Sequence, residues 1–243
     1  MTFQNEILGT TTDLKSTQPM DFLLNNIPED FAIMTRSPET GLYSFRGGII
    51  MGSLGWDLGS KIGLQLHEIH TPVPDYKEKM QFLMDRFFAK MPTDKPIQRG
   101  SWGLEVDKPM YLPLDECLPS HGEQDPDLTI DRVHLRVDWQ TLRRLPLSGA
   151  IVFNFKCLLT PAMELRDEPY IPSLLLKLLK EGRENLMAYK GHQTDHVTIP
   201  ALEVYEKEQL EKGLIEKDWD PHTLDESPSF PGWREKWRRQ QGV

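Results

Sequence analysis

Three stretches near the middle of the chain alternate apolar and polar residues, and that alternation constrains the fold more than any other feature. In residues 97–106, Trp102, Leu104 and Val106 fall on one side. In 132–140, Val133, Leu135 and Val137 oppose His134, Arg136 and Asp138. In 150–159, Phe153, Phe155 and Cys157 share a side, and Leu145-Pro146-Leu147-Ser148-Gly149 supplies the turn before them. Successive side chains of a strand point to opposite faces, so each stretch predicts a strand with one apolar face.

Upstream, Leu42, Tyr43 and Phe45 lead to Gly47-Gly48 and then to Ile49-Ile50-Met51. A Gly-Gly pair between two apolar runs predicts a hairpin over 41–54. Residues 21–31 carry a short helix or strand around Phe22, Leu23 and Leu24, and 56–70 reads as Gly-punctuated helical turns. The clearest helix begins at Asp75, where Asp75 and Glu78 have capping-box spacing. Tyr76, Met80, Leu83, Met84, Phe87 and Met91 fall on one helical face, and Pro92 ends the helix. Two strands, a helical middle and three longer strands give an α+β fold, an antiparallel sheet with helices on one face.

Residues 107–131 are rich in Pro, Asp and Glu and predict a long exposed loop. Past Pro161 the pattern turns helical. One amphipathic helix is expected over 172–190, with Leu175, Leu178, Leu179 and Leu186 inward, and an acidic one over 200–214. The tail carries Trp233, Trp237 and a basic cluster of Arg234, Lys236, Arg238 and Arg239, expected to dock within the molecule. The division is therefore a lead-in over 1–40, a sheet core over 41–165 and a helical extension over 166–243.

A formal net charge of -9 argues against a nucleic-acid surface as the main function. Cys117 and Cys157 are the only cysteines, a usage typical of free thiols in a reducing compartment. No apolar run reaches transmembrane length, and residues 1–20 lack a signal-peptide core. The expected location is the cytoplasm.

Candidate chemistry gathers in Gly63-Leu64-Gln65-Leu66-His67-Glu68-Ile69-His70-Thr71-Pro72-Val73-Pro74. His67 and His70 lie three apart before a rigid Pro-x-Pro corner. Two histidines are too few for a zinc site, which takes three or four ligands. A haem takes a single protein histidine. A purely structural role for the pair, as the end of a helix, stays open. His192 and His196 have helical metal-ligand spacing, yet Gly191 and Thr194 beside them favour a solvated loop. His134, Arg136 and Asp138 form a polar row with Gln140, Arg143 and Arg144 beyond it. Such a row faces water or a ligand, or forms cross-strand ion pairs, and its arginines can fork onto a carboxylate. The sequence has no Gly-x-Ser-x-Gly elbow, phosphate loop or dinucleotide fingerprint.

Three segments together resemble one family. They run from Lys61-Ile62-Gly63 through Ile69-His70-Thr71-Pro72-Val73-Pro74-Asp75-Tyr76-Lys77-Glu78-Lys79, then Met84-Asp85-Arg86-Phe87-Phe88, then Leu135-Arg136-Val137-Asp138-Trp139-Gln140-Thr141-Leu142-Arg143-Arg144-Leu145-Pro146. The chain resembles the haem-dependent oxidative N-demethylase alpha-subunit family, its fungal relatives in particular, over residues 7–190. The resemblance implies a PAS-like fold holding haem b, oxygen-dependent oxidation of a secondary amine, and electrons from flavin and iron–sulfur reductase partners. It implies His70 as the axial metal ligand, Arg136 and Gln140 near the haem or its distal pocket as catalytic residues, and Arg143 as a cofactor contact. Two departures go with it. Asp138-Trp139-Gln140 stands where the family pattern has Glu-Arg-Gln, and an upstream segment carried by most relatives is expected to be missing. These departures motivate a second expectation, a non-catalytic PAS-like module that binds a ligand or a partner.

Overall fold

The computed structural model describes residues 1–113, 122–219 and 239. Cys117, part of the 107–131 loop, and Trp233, Arg234, Lys236, Trp237 and Arg238 of the tail lie outside the described residues. Chain contacts define two compact units. The first holds residues 1–103, 109–113 and 136–158 among those described, and the second holds 104–108, 122–135 and 159–219.

The first unit opens with a hairpin of β1 (Thr2–Asn5) and β2 (Thr10–Asp13), then α1 (Pro19–Asn26). β3 (Asp30–Arg36) and β4 (Tyr43–Ile49) follow as an antiparallel pair, with the short β5 (Ser53–Leu54) after them. The middle is helical: α2 (Leu66–Ile69), a π-turn (Tyr76–Met80) and α3 (Gln81–Lys90). Then come β6 (Ile97–Val106), the short β7 (Tyr111–Leu112), which pairs in parallel with β5, β8 (Val133–Arg144) and β9 (Ile151–Pro161). Five strands make one sheet in the order β4-β3-β9-β8-β6. The three alternating stretches therefore form the expected strands, and the residues from 145 to 150 form the expected turn, with Gly149 at φ 66 and the Leu145 N–H donating to the Ala150 carbonyl at 2.8 Å.

The expected hairpin at Gly47-Gly48 is not there. β4 runs straight through both glycines, and its antiparallel partner is β3, drawn from the stretch read as lead-in. The chain instead reverses between Arg36 and Tyr43, where Gly41 has φ 73. Gly48 serves a close approach: a Cβ there would lie 2.2 Å from the Phe31 carbonyl oxygen. Glycine in a strand often marks such an approach or a bulge, and the β3–β4 register does shift between Ile33 and Met34.

Alternation along β3 buries Ala32 and Met34. They pack with Tyr43, Phe45, Leu66, Phe88, Met91, Leu142, Ile151 and Phe155 in one core. The helical face differs from expectation. Met80, Leu83 and Phe87 are exposed, whereas Tyr76, Phe88 and Met91 are buried. The cause is the π-turn, in which the Gln81 N–H reaches back five residues to the Tyr76 carbonyl. One residue more per turn rotates everything after it relative to a straight α-helix. Asp75 is no cap either: it takes a left-handed conformation at φ 59 and pairs with Lys79.

In the second unit, α4 (Ile171–Glu181), α5 (Glu184–Lys190) and α6 (Asp195–Glu211) follow a 3-10 segment (Ala162–Asp167). The single helix expected over 172–190 is thus two, broken at Gly182-Arg183. α6 begins five residues before Pro200, so His196 is helical and not in a loop. Its Nε2 bonds the Asp125 carbonyl at 2.9 Å, and His192 Nδ1 pairs with Asp195 at 2.7 Å. Buried Gln209 donates to the Arg166 and Glu168 carbonyls at 2.9 and 3.0 Å and accepts from the Tyr170 N–H at 3.2 Å. Among the described residues no helix is long and apolar enough to cross a membrane.

Candidate functional site

His70 is placed by backbone pairing before it and ring packing after it. Gly63, at φ 89, donates to the Phe45 carbonyl at 2.7 Å, and the Phe45 N–H donates to the Leu64 carbonyl at 2.9 Å. This strip lays the chain along β4. The Gln65 N–H then donates to the Glu68 carboxylate at 2.7 Å, which starts α2. One turn later His70 ends it. Leu66 anchors the turn in the core, at 4% exposure. The Val73 N–H closes onto the His70 carbonyl at 2.9 Å, and the two prolines fix the corner.

The His70 ring is defined on two sides. Its Nδ1 lies 2.7 Å from the Leu66 carbonyl, and a carbonyl can only accept, so Nδ1 carries the proton. That bond leaves the Nε2 lone pair unused, the tautomer suited to metal ligation. Burial pushes the imidazole pKa down; the Leu66 bond opposes this, and the charges of Arg99 and Lys61 add to it. The ring therefore stays neutral at neutral pH. One face stacks on the Tyr76 ring, with centroids 4.6 Å apart and planes 4° from parallel.

Tyr76 is 3% exposed, and its buried hydroxyl has no hydrogen-bond partner among the described residues. Burial, with the Asp85 charge, pushes its pKa up to about 12. His67, His70, Val73, Pro74 and Tyr76 line a partly open cavity of about 590 Å³, within the ordinary size range for small-ligand sites. His67 Nδ1 is buried beside it without a partner.

A second polar group forms on the sheet. The Arg99 Nε–H of β6 donates to Gln140 Oε1 of β8 at 2.6 Å. The Arg99 guanidinium lies over the Phe153 ring of β9, 5.3 Å from its centroid. Arg99 keeps solvent exposure, yet the walls around it strip enough water to lower its pKa; Tyr76 acts the other way. Its charge acts on both His70 and Tyr76. Of the residues expected from sequence, His70 lines the cavity and Gln140 is not among its lining residues.

Arg136 and Arg143 are not among the lining residues either. Arg136 is 6% exposed, donates to the Gly52 carbonyl at 3.1 Å and pairs with Asp138 at 3.0 Å. Its Nη1 is buried without a partner. The polar row of β8 is therefore not left to water: Arg136, Asp138 and Gln140 continue into core residue Leu142 on the same face. Arg143 is exposed, and strand alternation points it to the opposite face from Gln140. Trp139, the departure from the family pattern, shares that opposite face and is 46% exposed. Arg99 and Tyr76 escaped the sequence reading. The Arg99 signal was present only as a charge inside a strand, and Tyr76 read as one more apolar helix position.

The residues fit a haem better than a bare metal ion. Among the described residues no cluster of three or more His, Cys, Asp or Glu could hold a metal. A porphyrin brings four nitrogens of its own and asks for one neutral histidine, which His70 supplies at the wall of a cavity. Fold and site together define a mixed helix-and-sheet protein with a five-stranded antiparallel sheet and a histidine-lined cavity in its helical middle. The model of the haem-dependent oxidative N-demethylase, alpha subunit-like family matches residues 1–198, and the chain belongs to that family. An alpha-subunit description implies partner subunits.

Proposed function

We propose that this chain is the haem-binding subunit of an oxygen-using oxidoreductase that oxidises or N-demethylates a small amine or other nitrogenous metabolite. The observation that carries the reading is His70: a neutral imidazole, protonated at Nδ1 by its bond to Leu66, stacked on Tyr76 and set in a cavity. The family match adds haem dependence. The order strand, strand, helices, three strands supports a PAS-like reading of the sheet domain. When bound, haem b supplies the redox centre at which oxygen is reduced.

The chain's own residues do the rest. His70 would hold the haem iron through Nε2, with its second nitrogen held by a backbone carbonyl that fixes ring orientation and would strengthen the ligand. Tyr76 restricts ring rotation by stacking. Gln140 accepts the Arg99 Nε–H and so holds that guanidinium over the Phe153 ring. Arg136 supports the loop at Gly52 from within. Electrons come from a separate flavin and iron–sulfur partner, and the setting is cytoplasmic.

A visible absorption spectrum of purified protein supplied with haem tests the reading. A Soret band is expected in wild type, with a shifted or lost band in His70→Ala. No band in wild type, or an unchanged one in the variant, overturns it. The non-catalytic ligand-binding alternative rests on the Trp139 departure. It gains if haem binds and no amine is turned over with a competent reductase.

A further inference from the structure

We propose that the outward face of α3 is the docking surface for an acidic electron-donor protein, with Phe82, Leu83 and Phe87 as its apolar contacts and Arg86 and Lys90 as its charges. The donor role rests on the haem reading above; the place of the surface and the acidity of the partner do not.

At 3.6 residues per turn, positions 82, 83, 86, 87 and 90 share one side of a helix. In α3 that side holds Phe82 at 73% exposure, Leu83 at 61% and Phe87 at 37%. The opposite side carries buried Phe88 and also Met84, which packs against the core. Apolar side chains exposed singly are ordinary, but several on one face mark an interaction site.

Arg86 and Lys90 lie among these side chains and are exposed. Neither has a side-chain partner among the described residues, and no carboxylate shares their side of the helix. Lys77, on the π-turn just before, is also exposed and unpaired among the described residues. These cations stand in a chain of net charge -9. Unpaired cations set among apolar groups call for a partner with carboxylates around an apolar centre, and such complementarity steers encounter and fixes register.

The face adjoins the candidate site through the chain itself. Lys77, Glu78 and Gln81 line the His70 cavity, and Gln81 is the first residue of α3. An oxygen-using haem centre consumes electrons, which the reading above brings from a separate protein. A donor seated on α3 delivers them beside the cavity.

Two other occupants fit less well. A second copy meeting this face two-fold sets Arg86 and Lys90 against their own copies, a like-charge contact. A helix lying on a membrane keeps its cations on the side away from its apolar stripe, whereas these sit within the stripe.

Binding of a plant-type two-iron ferredoxin, an acidic electron donor, to the full chain tests the proposal by biolayer interferometry. Wild type is expected to bind at about 20 mM salt and to lose affinity at about 300 mM, where exposed charges are screened. The double variant Arg86→Glu/Lys90→Glu, and separately Leu83→Ser, are each expected to weaken binding by about tenfold or more. Lys207→Glu, at an exposed position of α6, should leave it unchanged. No binding at low salt, or equal binding by wild type and both α3 variants, overturns the proposal. So does a loss of the same size in Lys207→Glu, which would show that net charge alone counts. A wild-type dimer that Leu83→Ser dissociates in sedimentation gives the face to a second copy. Binding to phosphatidylserine vesicles that needs the same residues gives it to a membrane; either result overturns the proposal. Where haem is taken up, its reduction by reduced ferredoxin should slow about tenfold in the double variant. An unchanged rate despite weakened binding overturns the donor role. A wild type that takes up no haem sinks the haem reading, and interferometry still decides the surface. If Leu83→Ser misfolds by circular dichroism, Phe82→Ser takes its place.

Discussion

The His70 imidazole and the Tyr76 phenol ring stack face to face, 4.6 Å between centroids and 4° from parallel, across the Pro72-Val73-Pro74 corner. Five residues lie between them in sequence, and the left-handed Asp75 among them turns the chain so that the rings meet. Positive φ outside glycine is uncommon and costs energy, and such strain gathers at functional sites. The pair thus couples the candidate ligand to the first residue of the π-turn.

Tyr76→Phe keeps the stacked ring and removes a buried hydroxyl that has no partner. An unsatisfied buried polar group costs about 1–3 kcal/mol, so the ligand-free variant is expected to be more stable by ~1 kcal/mol. Urea unfolding midpoints check this. Tyr76→Ala removes the ring as well and is expected to lose about 3–5 kcal/mol. A destabilised Tyr76→Phe means that the hydroxyl has a partner.

The same hydroxyl gives an alkaline signature. An ordinary tyrosine titrates near about 10, and Tyr76 is pushed up to about 12. Between these values the folded protein keeps a proton that the unfolded chain releases, so stability falls as pH rises from 10 toward 12. Tyr170 and Tyr205 are also pushed up, so ultraviolet titration of the phenols should lose one of several late transitions in Tyr76→Phe.

For His70 the sign is the reverse. Its folded pKa lies below the unfolded value of about 6.5. The unfolded chain therefore binds the proton first. The contribution of neutral His70 is complete above 6.5 and is lost as pH falls from 6.5 through the lower folded pKa. Unfolding free energies measured from pH 7.5 down to 5 are expected to drop less in His70→Ala than in wild type. Equal slopes would show that the imidazole is not desolvated.

Gly48 and Gly47 are adjacent and predict different outcomes. A Cβ at Gly48 meets the Phe31 carbonyl at 2.2 Å, and backbone cannot swing aside, whereas a Cβ at Gly47 has open space. Gly48→Ala is expected to lose about 1–3 kcal/mol or more through overpacking, and Gly47→Ala within ~0.5 kcal/mol of wild type. Thermal melts of the two variants side by side decide it.

Arg136 and Asp138 form an asymmetric pair. The Arg136 side chain is 7% exposed and that of Asp138 is 26% exposed. Removing the acid strands a buried cation, at about 3–5 kcal/mol; removing the cation leaves a carboxylate that water can reach. Asp138→Ala is therefore expected to be the more destabilising change, and Arg136→Met the milder. The opposite order in denaturant titrations would place the desolvation on the carboxylate.

How much of this was legible from residues alone depended on the range of the interaction. The strands around Leu104, Leu135 and Phe155 follow from a period of two, which is a property of neighbours along the chain. The turn before Ala150 follows from Gly149 in the same way. Gly47-Gly48 misled because the pair has two uses, and only the closeness of β3 chooses between them. The face of the helix after Asp75 misled because one extra residue in the π-turn breaks the 3.6 period, and no residue in Tyr76–Met80 announces it. His196 misled because Pro200 tolerates a helix that begins upstream of it.

By itself the sequence determined the α+β class, the three long strands after the helical middle, the family, and His70 as the histidine to examine, since each is written in local pattern and motif. Tertiary structure alone decided what surrounds that histidine and what pairs across the sheet. Leu66 sets its tautomer, Tyr76 covers one ring face, and Arg99 arrives from a strand to meet Gln140 forty-one residues further on. Pairing of β6 with β8 makes that meeting, and sheet pairing is a long-range choice settled by burial of the whole core rather than by either residue's neighbours.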